Sequence, residues 1–194
     1  MNPRADGRPA GRAAALLVAA LSAAALAGPA RAQEAPDAGL DRVAAAADSG
    51  RLERARRLLA SWRADHAGGA GRGQLVRADF LSARLATDAD SARRLYARVA
   101  VEAGGEIGGR ARLRLAQLHL AEGRPGPALR QLELVRNDLP GDPLAAESWL
   151  WTGRARLAAG DTAGACSALR SAAEADGALR ERAARAVAAC GLEG

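Results

Sequence analysis

Apolar side chains recur along most of the chain every three to four positions, with charged residues between them. The segment 143–160 shows the pattern clearly, because its bulky apolar residues are Leu144, Trp149, Leu150 and Leu157. This spacing is typical of amphipathic helices that bury one face. We therefore predict an all-α chain with helices over 38–48, 51–66, 74–86, 89–102, 109–122, 125–138, 143–159, 162–175 and 178–190. Glycine clusters at 68–73 and 104–109 are predicted to be loops between helical pairs.

The chain also repeats a short pattern, in which a small residue is followed five positions later by Ala and four positions after that by a bulky residue. The four copies are Gly50-Ala55-Leu59, Thr87-Ala92-Tyr96, Gly123-Ala128-Leu132 and Gly160-Ala165-Leu169. Successive alanines are separated by 37, 36 and 37 residues. A period of this length is typical of stacked helical hairpins, in which the small residue ends one helix and the Ala allows the next to approach closely. An Ala-rich helical bundle without repeats is the alternative.

Helix starts can be placed from residues that cap an N-terminus. Asp142 precedes Pro143, which suits the first helical position, and Asp161 follows Gly160. Thr87 with Asp90 resembles a capping box. These signals support helices that begin near 89, 143 and 162.

The first 32 residues have the three-part layout of a secretory signal peptide. Arg4, Arg8 and Arg12 precede an uncharged, mostly apolar run over 13–27, and Ala30-Arg31-Ala32 follows as a cleavage pattern. Fifteen helical residues would span about 22 Å, less than the roughly 30 Å hydrocarbon core of a bilayer. We therefore expect cleavage after Ala32, a repeat domain over 33–194 and no membrane span thereafter. An uncleaved anchor is the alternative.

Composition narrows the class of protein further. The chain contains 53 Ala, its 28 basic residues are all Arg, and aromatic residues make up 3%. Strong helix formers dominate, and residues that favour strands are too few for a β-sandwich or barrel. The formal charge of +6 falls to +3 without residues 1–32, which hold four Arg and one Asp. The remaining charges are mixed along amphipathic helices, so we expect no nucleic-acid partner.

The segment 145–172, AAESWLWTGRARLAAGDTAGACSALRSA, resembles a tetratricopeptide repeat. Trp149, Gly153, Gly160, Ala165 and Leu169 occupy the positions that this repeat pattern requires. The segment 109–140 matches it as well, and the two together are similar to repeats in bacterial periplasmic proteins of the YbgF/CpoB and BamD types. The resemblance covers 105–176 well and 37–103 only through the spacing of small residues. It implies an α-solenoid of about four hairpins with a C-terminal capping helix, acting as a scaffold that binds protein or peptide segments.

In such a scaffold, the first helix of each hairpin lines a concave groove. The resemblance implies groove residues at equivalent positions of these helices: Arg77, Leu81, Arg84, Arg110, Leu113, Gln117, Leu120, Glu147, Leu150, Arg154 and Leu157. Guanidinium groups pair well with carboxylates, so an acidic segment or a terminal carboxylate would suit the four arginines. The alternative is that these arginines only solvate the helices.

The two cysteines could form a disulfide in an oxidising compartment. If the chain turns at Asp176-Gly177, the antiparallel helices 162–175 and 178–190 place Cys190 about one helical turn from Cys166. Small shifts would bring the pair within disulfide range. Two buried free thiols are the alternative.

Enzymatic signatures are weak in this chain. His66 and His119 are its only imidazoles, and no metal-binding or nucleophile motif accompanies them. We expect His119 to be a packing residue rather than a ligand. Trp149 and Trp151 could stack on a sugar, but we expect them to be core and rim residues of the last repeat. We predict neither a metal nor another cofactor.

The leading hypothesis is a periplasmic or secreted, non-enzymatic interaction scaffold that serves cell-envelope assembly or maintenance. Two alternatives stay open. One is a cell-wall hydrolase, or an accessory subunit of such an enzyme, which would need converging carboxylates of perturbed pKa in a cleft. The other is a membrane-tethered assembly factor, if the signal segment is retained.

Overall fold

The helical periodicity of the sequence appears directly in the structure. A computed structural model describes residues 36–190, and within that range the chain forms nine helices and no strand. The prediction of an all-α chain is therefore confirmed for this part of the molecule. The predicted signal peptide, residues 1–32, lies outside the described residues. The helices are α1 Pro36–Asp48, α2 Leu52–His66, α3 Arg72–Leu85, α4 Ala89–Glu102, α5 Gly105–Ala121, α6 Pro125–Asp138, α7 Pro143–Ala158, α8 Thr162–Ala173 and α9 Ala178–Cys190.

Most helix ends fall within two residues of their predicted positions, but α5 begins four residues earlier than expected. Gly108 and Gly109, which were predicted to lie in a loop, are buried in its first turns. A side chain at Gly109 would collide with Leu139 and approach Leu144, so this glycine allows α5 to pack closely on the following hairpin. The loop prediction was wrong here because the glycines serve helix packing rather than chain reversal.

Two of the three predicted caps are confirmed. Asp142 accepts a hydrogen bond from the Leu144 amide at 2.7 Å, and Asp161 accepts one from the Gly164 amide at 2.8 Å. At the start of α4, however, the cap is Asp88, which accepts from the Ser91 amide at 2.7 Å. The capping box predicted for Thr87 is wrong, since the helix begins one residue later than that pattern requires.

Three of the four aligned small residues make the predicted tight turn. Gly50, Gly123 and Gly160 have φ angles of 73°, 70° and 80°, in the left-handed region that glycine adopts without strain. Each turn joins the two helices of a hairpin. The fourth aligned residue, Thr87, lies in the α3–α4 connection, where Ala86 and Asp88 have extended backbone instead.

Each helix packs on the next one in the chain, and a second set of contacts joins alternate helices. Among the described helices, α1 contacts α3, α3 contacts α5, α5 contacts α7 and α7 contacts α9. The second helices of the hairpins, α2, α4, α6 and α8, do not contact one another in the described structure. The contacts between α3 and α5 and between α7 and α9 are the sparsest of the alternate contacts.

The repeated Ala and bulky positions supply the centre of the core. Ala55, Ala128 and Ala165 are fully buried, and Ala92 is partly buried. The bulky residues that follow each Ala are all buried: Leu59, Tyr96, Leu132 and Leu169. The periodicity therefore identified the positions at which paired helices approach each other.

Polar contacts between α1 and α3 repeat at the same interval. Arg84 donates to Asp48 at 2.6 Å and Arg77 donates to Asp41 at 2.5 Å. Each pair is separated by 36 residues in the chain. Equivalent positions of the first two hairpins thus face each other in register.

The last helix packs against the hairpin that precedes it. Ala183 of α9 is fully buried against the α7–α8 hairpin, together with partly buried Leu179, Ala186 and Val187. Its charged residues Arg180, Glu181, Arg182 and Arg185 are exposed. Among residues 36–190, no helix combines the length and apolar character that a membrane span needs.

Candidate groove on the first helices

Side chains from α1, α3, α5 and α7 meet around a cavity of about 150 Å³, which we call the inner cavity. Four of the predicted groove residues, Arg84, Arg110, Leu113 and Glu147, are brought together there. Its full lining is Asp48, Phe80, Arg84, Arg110, Leu113, Arg114, Leu144 and Glu147. The four first helices therefore share one concave surface at this point.

The three central leucines of the predicted groove are core residues. Leu81, Leu113 and Leu150 are 2%, 4% and 0% exposed. The placement of Leu81 and Leu150 as partner contacts was wrong, because these side chains support the groove from behind, whereas Leu113 also lines the inner cavity. Leu157, at 45% exposure, is open to solvent, and Leu120 is partly buried against the core around Leu132.

Two of the predicted groove arginines already have carboxylate partners. Arg77 and Arg84 are held by Asp41 and Asp48 of α1, as described above. Their charges are therefore balanced within the protein, which corrects the expectation that all four arginines are available to an acidic partner. Each of these arginines lies 36 residues after its aspartate in the sequence. This regular spacing could have predicted the pairing.

The predicted groove arginines of α5 and α7, Arg110 and Arg154, are held less firmly than Arg77 and Arg84. Arg110 contacts Glu106 on its own helix at 2.6 Å, and the two side chains are 55% and 61% exposed. Exposed pairs of this kind contribute little to stability, so Arg110 can exchange Glu106 for another carboxylate at low cost. Arg154 stacks on Trp151 with its guanidinium carbon 4.4 Å from the ring centre, and the residue is exposed.

Arg114 is a groove residue that the sequence reasoning missed. It follows Arg110 by one helical turn and lies on the same face of α5. Its Nη1 donates to Gln117 Oε1 at 2.9 Å, and no carboxylate pairs with it in the described structure. Arg114 lies four residues after Arg110 and three before Gln117, so helical spacing from these two predicted groove residues would have identified it. Glu147, across the inner cavity, accepts a long hydrogen bond of 3.4 Å from Trp151.

A second, larger cavity of about 520 Å³ opens where the α3–α4 hairpin meets α5, and we call it the seam cavity. Arg84 and Arg114 line both cavities, so the two are adjacent. Tyr96 lines the seam cavity and packs edge-on against Phe80 of the inner cavity, with ring centres 5.7 Å apart. Burial raises the pKa of Tyr96, although Arg114 and Arg84 act in the opposite direction. The seam cavity is lined by Ala83, Arg84, Ala86, Thr87, Asp88, Ala89, Ala92, Tyr96, Arg114, Gln117 and Leu118.

The tryptophans of the last repeat have structural partners. Arg136 of α6 lies 3.9 Å from the centre of the Trp149 ring, and its Nη1 donates to Ser148 at 3.1 Å and to Thr152 at 2.8 Å. These contacts join α6 to α7. The sugar-stacking interpretation is thereby less favoured for Trp149 than its role as a packing residue, since its ring already carries a guanidinium.

The remaining chemical candidates also occupy packed positions. The His119 ring is mostly buried, its Nδ1 has no hydrogen-bond partner, and burial lowers its pKa. Among the described residues, no three His, Cys, Asp or Glu side chains are grouped as metal ligands. Two carboxyl groups have clearly shifted pKa values, and both shifts are downward. Hydrogen bonds from Ser91 lower that of Asp88, and a hydrogen bond from Arg124 lowers that of Glu122.

The predicted disulfide would join Cys166 of α8 to Cys190 of α9. Cys166 is 7% exposed and does not carry a free thiol. The side chain of Cys190 lies outside the described residues, so the pairing of these two cysteines stays a prediction.

Comparison with protein-family models, with curated proteins and with solved structures finds no match to this chain.

Proposed function

We propose that this protein is a non-enzymatic interaction scaffold of the tetratricopeptide-repeat type, which binds a protein or peptide segment in the bacterial cell envelope. Four hairpins, α1–α2, α3–α4, α5–α6 and α7–α8, would stack into an α-solenoid, with α9 as its C-terminal cap. The signal-like segment 1–32 supports export to the periplasm or beyond.

The observation that carries the proposal is the shared surface of the first helices. Four helices that are far apart in sequence contribute side chains to one cavity, and each contacts the next first helix. The second helices touch only their neighbours in the chain. In stacked repeats, this asymmetry creates a continuous inner face that can follow an extended ligand.

The charges on this face favour a particular part of it for binding. The α1–α3 side is balanced by ion pairs between helices, whereas the α5–α7 side presents Arg114 and Arg154, together with Arg110, whose exposed pair with Glu106 can be exchanged. Bidentate guanidinium contacts would orient an acidic segment there, and the exposed Leu157 offers an apolar contact. Asp48 and Glu147 at the inner cavity would disfavour acidic groups that bind out of register.

Charge reversal tests the proposed face. The double variant Arg110→Glu, Arg114→Glu changes the α5 side of the groove, and Arg57→Glu, Arg170→Glu changes exposed arginines on α2 and α8 as a matched control. Cross-linking pull-down from the envelope should recover a discrete protein with the wild type and the control, and lose it with the groove variant. Equal recovery by both variants, or no partner with the wild type, would contradict the proposal.

Export is tested separately by N-terminal sequencing of the protein from the envelope fraction. A start at Gln33 supports cleavage of the signal segment. Retention of residues 1–32 would instead support a membrane-tethered form of the scaffold.

A further inference from the structure

The second hairpin departs from the repeat at two positions, and both line the seam cavity. It has Thr87 where the turn normally has glycine, and Tyr96 where the bulky core residue is normally leucine. The corresponding residues of the other hairpins are Gly50, Gly123 and Gly160 at the turn, and Leu59, Leu132 and Leu169 in the core. Because α3 and α5 also make the sparsest contact between first helices, a cavity opens at this junction.

One side of the seam cavity is cationic. The charge of Arg84 is balanced by Asp48, which occupies Nη2, so Arg84 offers its other N–H groups as hydrogen-bond donors and the unpaired positive charge comes from Arg114. Arg114 bonds only to the neutral amide oxygen of Gln117. Tyr96 is 5% exposed, and its hydroxyl has no hydrogen-bond partner among residues 36–190. Two guanidinium groups and a free phenol hydroxyl therefore line the same space, which is the donor set that a carboxylate requires.

The α3–α4 connection contributes the opposite charge. Asp88 uses Oδ1 to cap α4, and a carboxylate has a second oxygen that can accept further hydrogen bonds. The hydrogen bonds from Ser91 also hold the pKa of Asp88 below its ordinary value, so this carboxylate is ionised at neutral pH. The hydroxyl of Thr87 and the amide of Gln117 add neutral polar groups. A cation can therefore be held at this side of the cavity.

Small apolar groups occupy the rest of the lining. Ala83, Ala86, Ala89 and Ala92 leave room for a ligand body where larger side chains would fill the space, and Leu118 adds apolar contact. The volume of about 520 Å³ lies within the range of small-molecule sites. We propose that the seam cavity binds a small zwitterion, an amino acid or short peptide, with its carboxylate on Arg84, Arg114 and Tyr96 and its ammonium on Asp88.

Calorimetric titration of the full chain with four probes tests this site. L-alanine and L-alanyl-L-alanine each carry an ammonium and a carboxylate. Comparing them shows whether the site binds a free amino acid or a short peptide. N-acetyl-L-alanyl-L-alanine lacks the ammonium, and L-alanyl-L-alaninamide lacks the carboxylate. One of the two zwitterions should bind, and each blocked dipeptide should bind about tenfold more weakly than L-alanyl-L-alanine, or not at all, because a charged hydrogen bond is lost. If neither zwitterion binds, or if L-alanyl-L-alanine binds and its blocked forms bind equally well, the proposal is overturned.

Variants assign the two charges to their residues. Asp88→Asn keeps a good N-cap, so the fold should persist while the preference for a free ammonium disappears. Arg114→Gln should weaken zwitterion binding about tenfold and remove the preference for a free carboxylate. Arg57→Gln on exposed α2 is the control and should leave binding unchanged. Helical circular dichroism of each variant verifies folding. Unchanged probe preferences in both folded cavity variants would place the ligand elsewhere and overturn the assignment.

Discussion

The bridge between α6 and α7 gives a stability prediction that can be worked out from individual contacts. Arg136 donates to Ser148 and Thr152, which are 0% and 2% exposed, and its guanidinium stacks on Trp149. Replacement of Arg136 with Met removes the charge and the donors but retains an apolar stem of similar length. The buried Thr152 hydroxyl would then lose its partner, whereas Ser148 would keep its hydrogen bond to the Ala145 carbonyl.

The contacts give the expected magnitude. Hydrogen bonds to a charged group contribute about 1.5–3 kcal/mol each, and a cation–π contact contributes about 0.5–2 kcal/mol. Burial opposes these gains, because it disfavours the charged guanidinium and lowers the pKa of Arg136. Allowing for that cost, we expect Arg136→Met to lower the free energy of unfolding by about 2 kcal/mol. Arg136→Lys should lower it by about 1 kcal/mol, since an ammonium keeps the charge but loses the planar contact with the ring.

Urea unfolding followed by helical circular dichroism measures these differences. Arg130→Met is the matched control, because Arg130 is an exposed residue of the same helix. The control should change the free energy of unfolding by less than about 0.5 kcal/mol. If Arg136→Met is as stable as this control, the bridge does not stabilise the α6–α7 junction and the reasoning is refuted.

Three further predictions concern glycine packing, pH and the cysteines. Gly153→Ala should lower the free energy of unfolding in urea by about 1–3 kcal/mol, because the new Cβ would lie 2.5 Å from the buried Leu169 side chain. Gly126→Ala, which has open space around it, should not destabilise the protein. Equal stabilities of the two variants would contradict the packing account. Burial holds the pKa of His119 below its ordinary value, so as the pH falls this imidazole is protonated in the unfolded chain before it is protonated in the folded one. The free energy of unfolding should therefore fall as the pH drops from 7 through the ordinary imidazole range, and it should fall less in His119→Gln. A parallel pH dependence in wild type and variant would refute that assignment. Non-reducing peptide mapping should recover Cys166 linked to Cys190. Reduction of this bond should lower the free energy of unfolding by about 3 kcal/mol. Recovery of both cysteines as free thiols would exclude the bond.

Helix positions and core residues could be predicted from this sequence because each depends mainly on local spacing. The bounds of α4, α6 and α9 agree with the predictions, and the aligned Ala and bulky residues are at the centres of the hairpins. The start of α5 could not be predicted in this way. Gly108 and Gly109 look like loop residues until the neighbouring Leu139 is known to occupy the space that a side chain would need.

The groove was harder to predict, since its chemistry depends on contacts between hairpins. The sequence places Arg77, Arg84 and Arg110 on predicted first helices, but only the register of α1 against α3 shows that the first two are neutralised by aspartates. It likewise assigns Leu81 and Leu150 to a helix face without showing how deeply that face is buried. Burial and pairing between distant helices are properties of the packed structure.

Site-specific photo-cross-linking tests the central proposal most directly, because it reports which face of the protein the partner touches. A photoreactive residue would be placed at Arg110 or Arg154 on the first helices, and at Arg57 or Arg170 on the second helices, all of them exposed. Irradiation of cells that export each variant should give one adduct of the same mass at 110 and 154, and none at 57 and 170. Adducts that form only from α2 and α8, or equally from both sets of helices, would contradict an interaction scaffold that binds through its inner face.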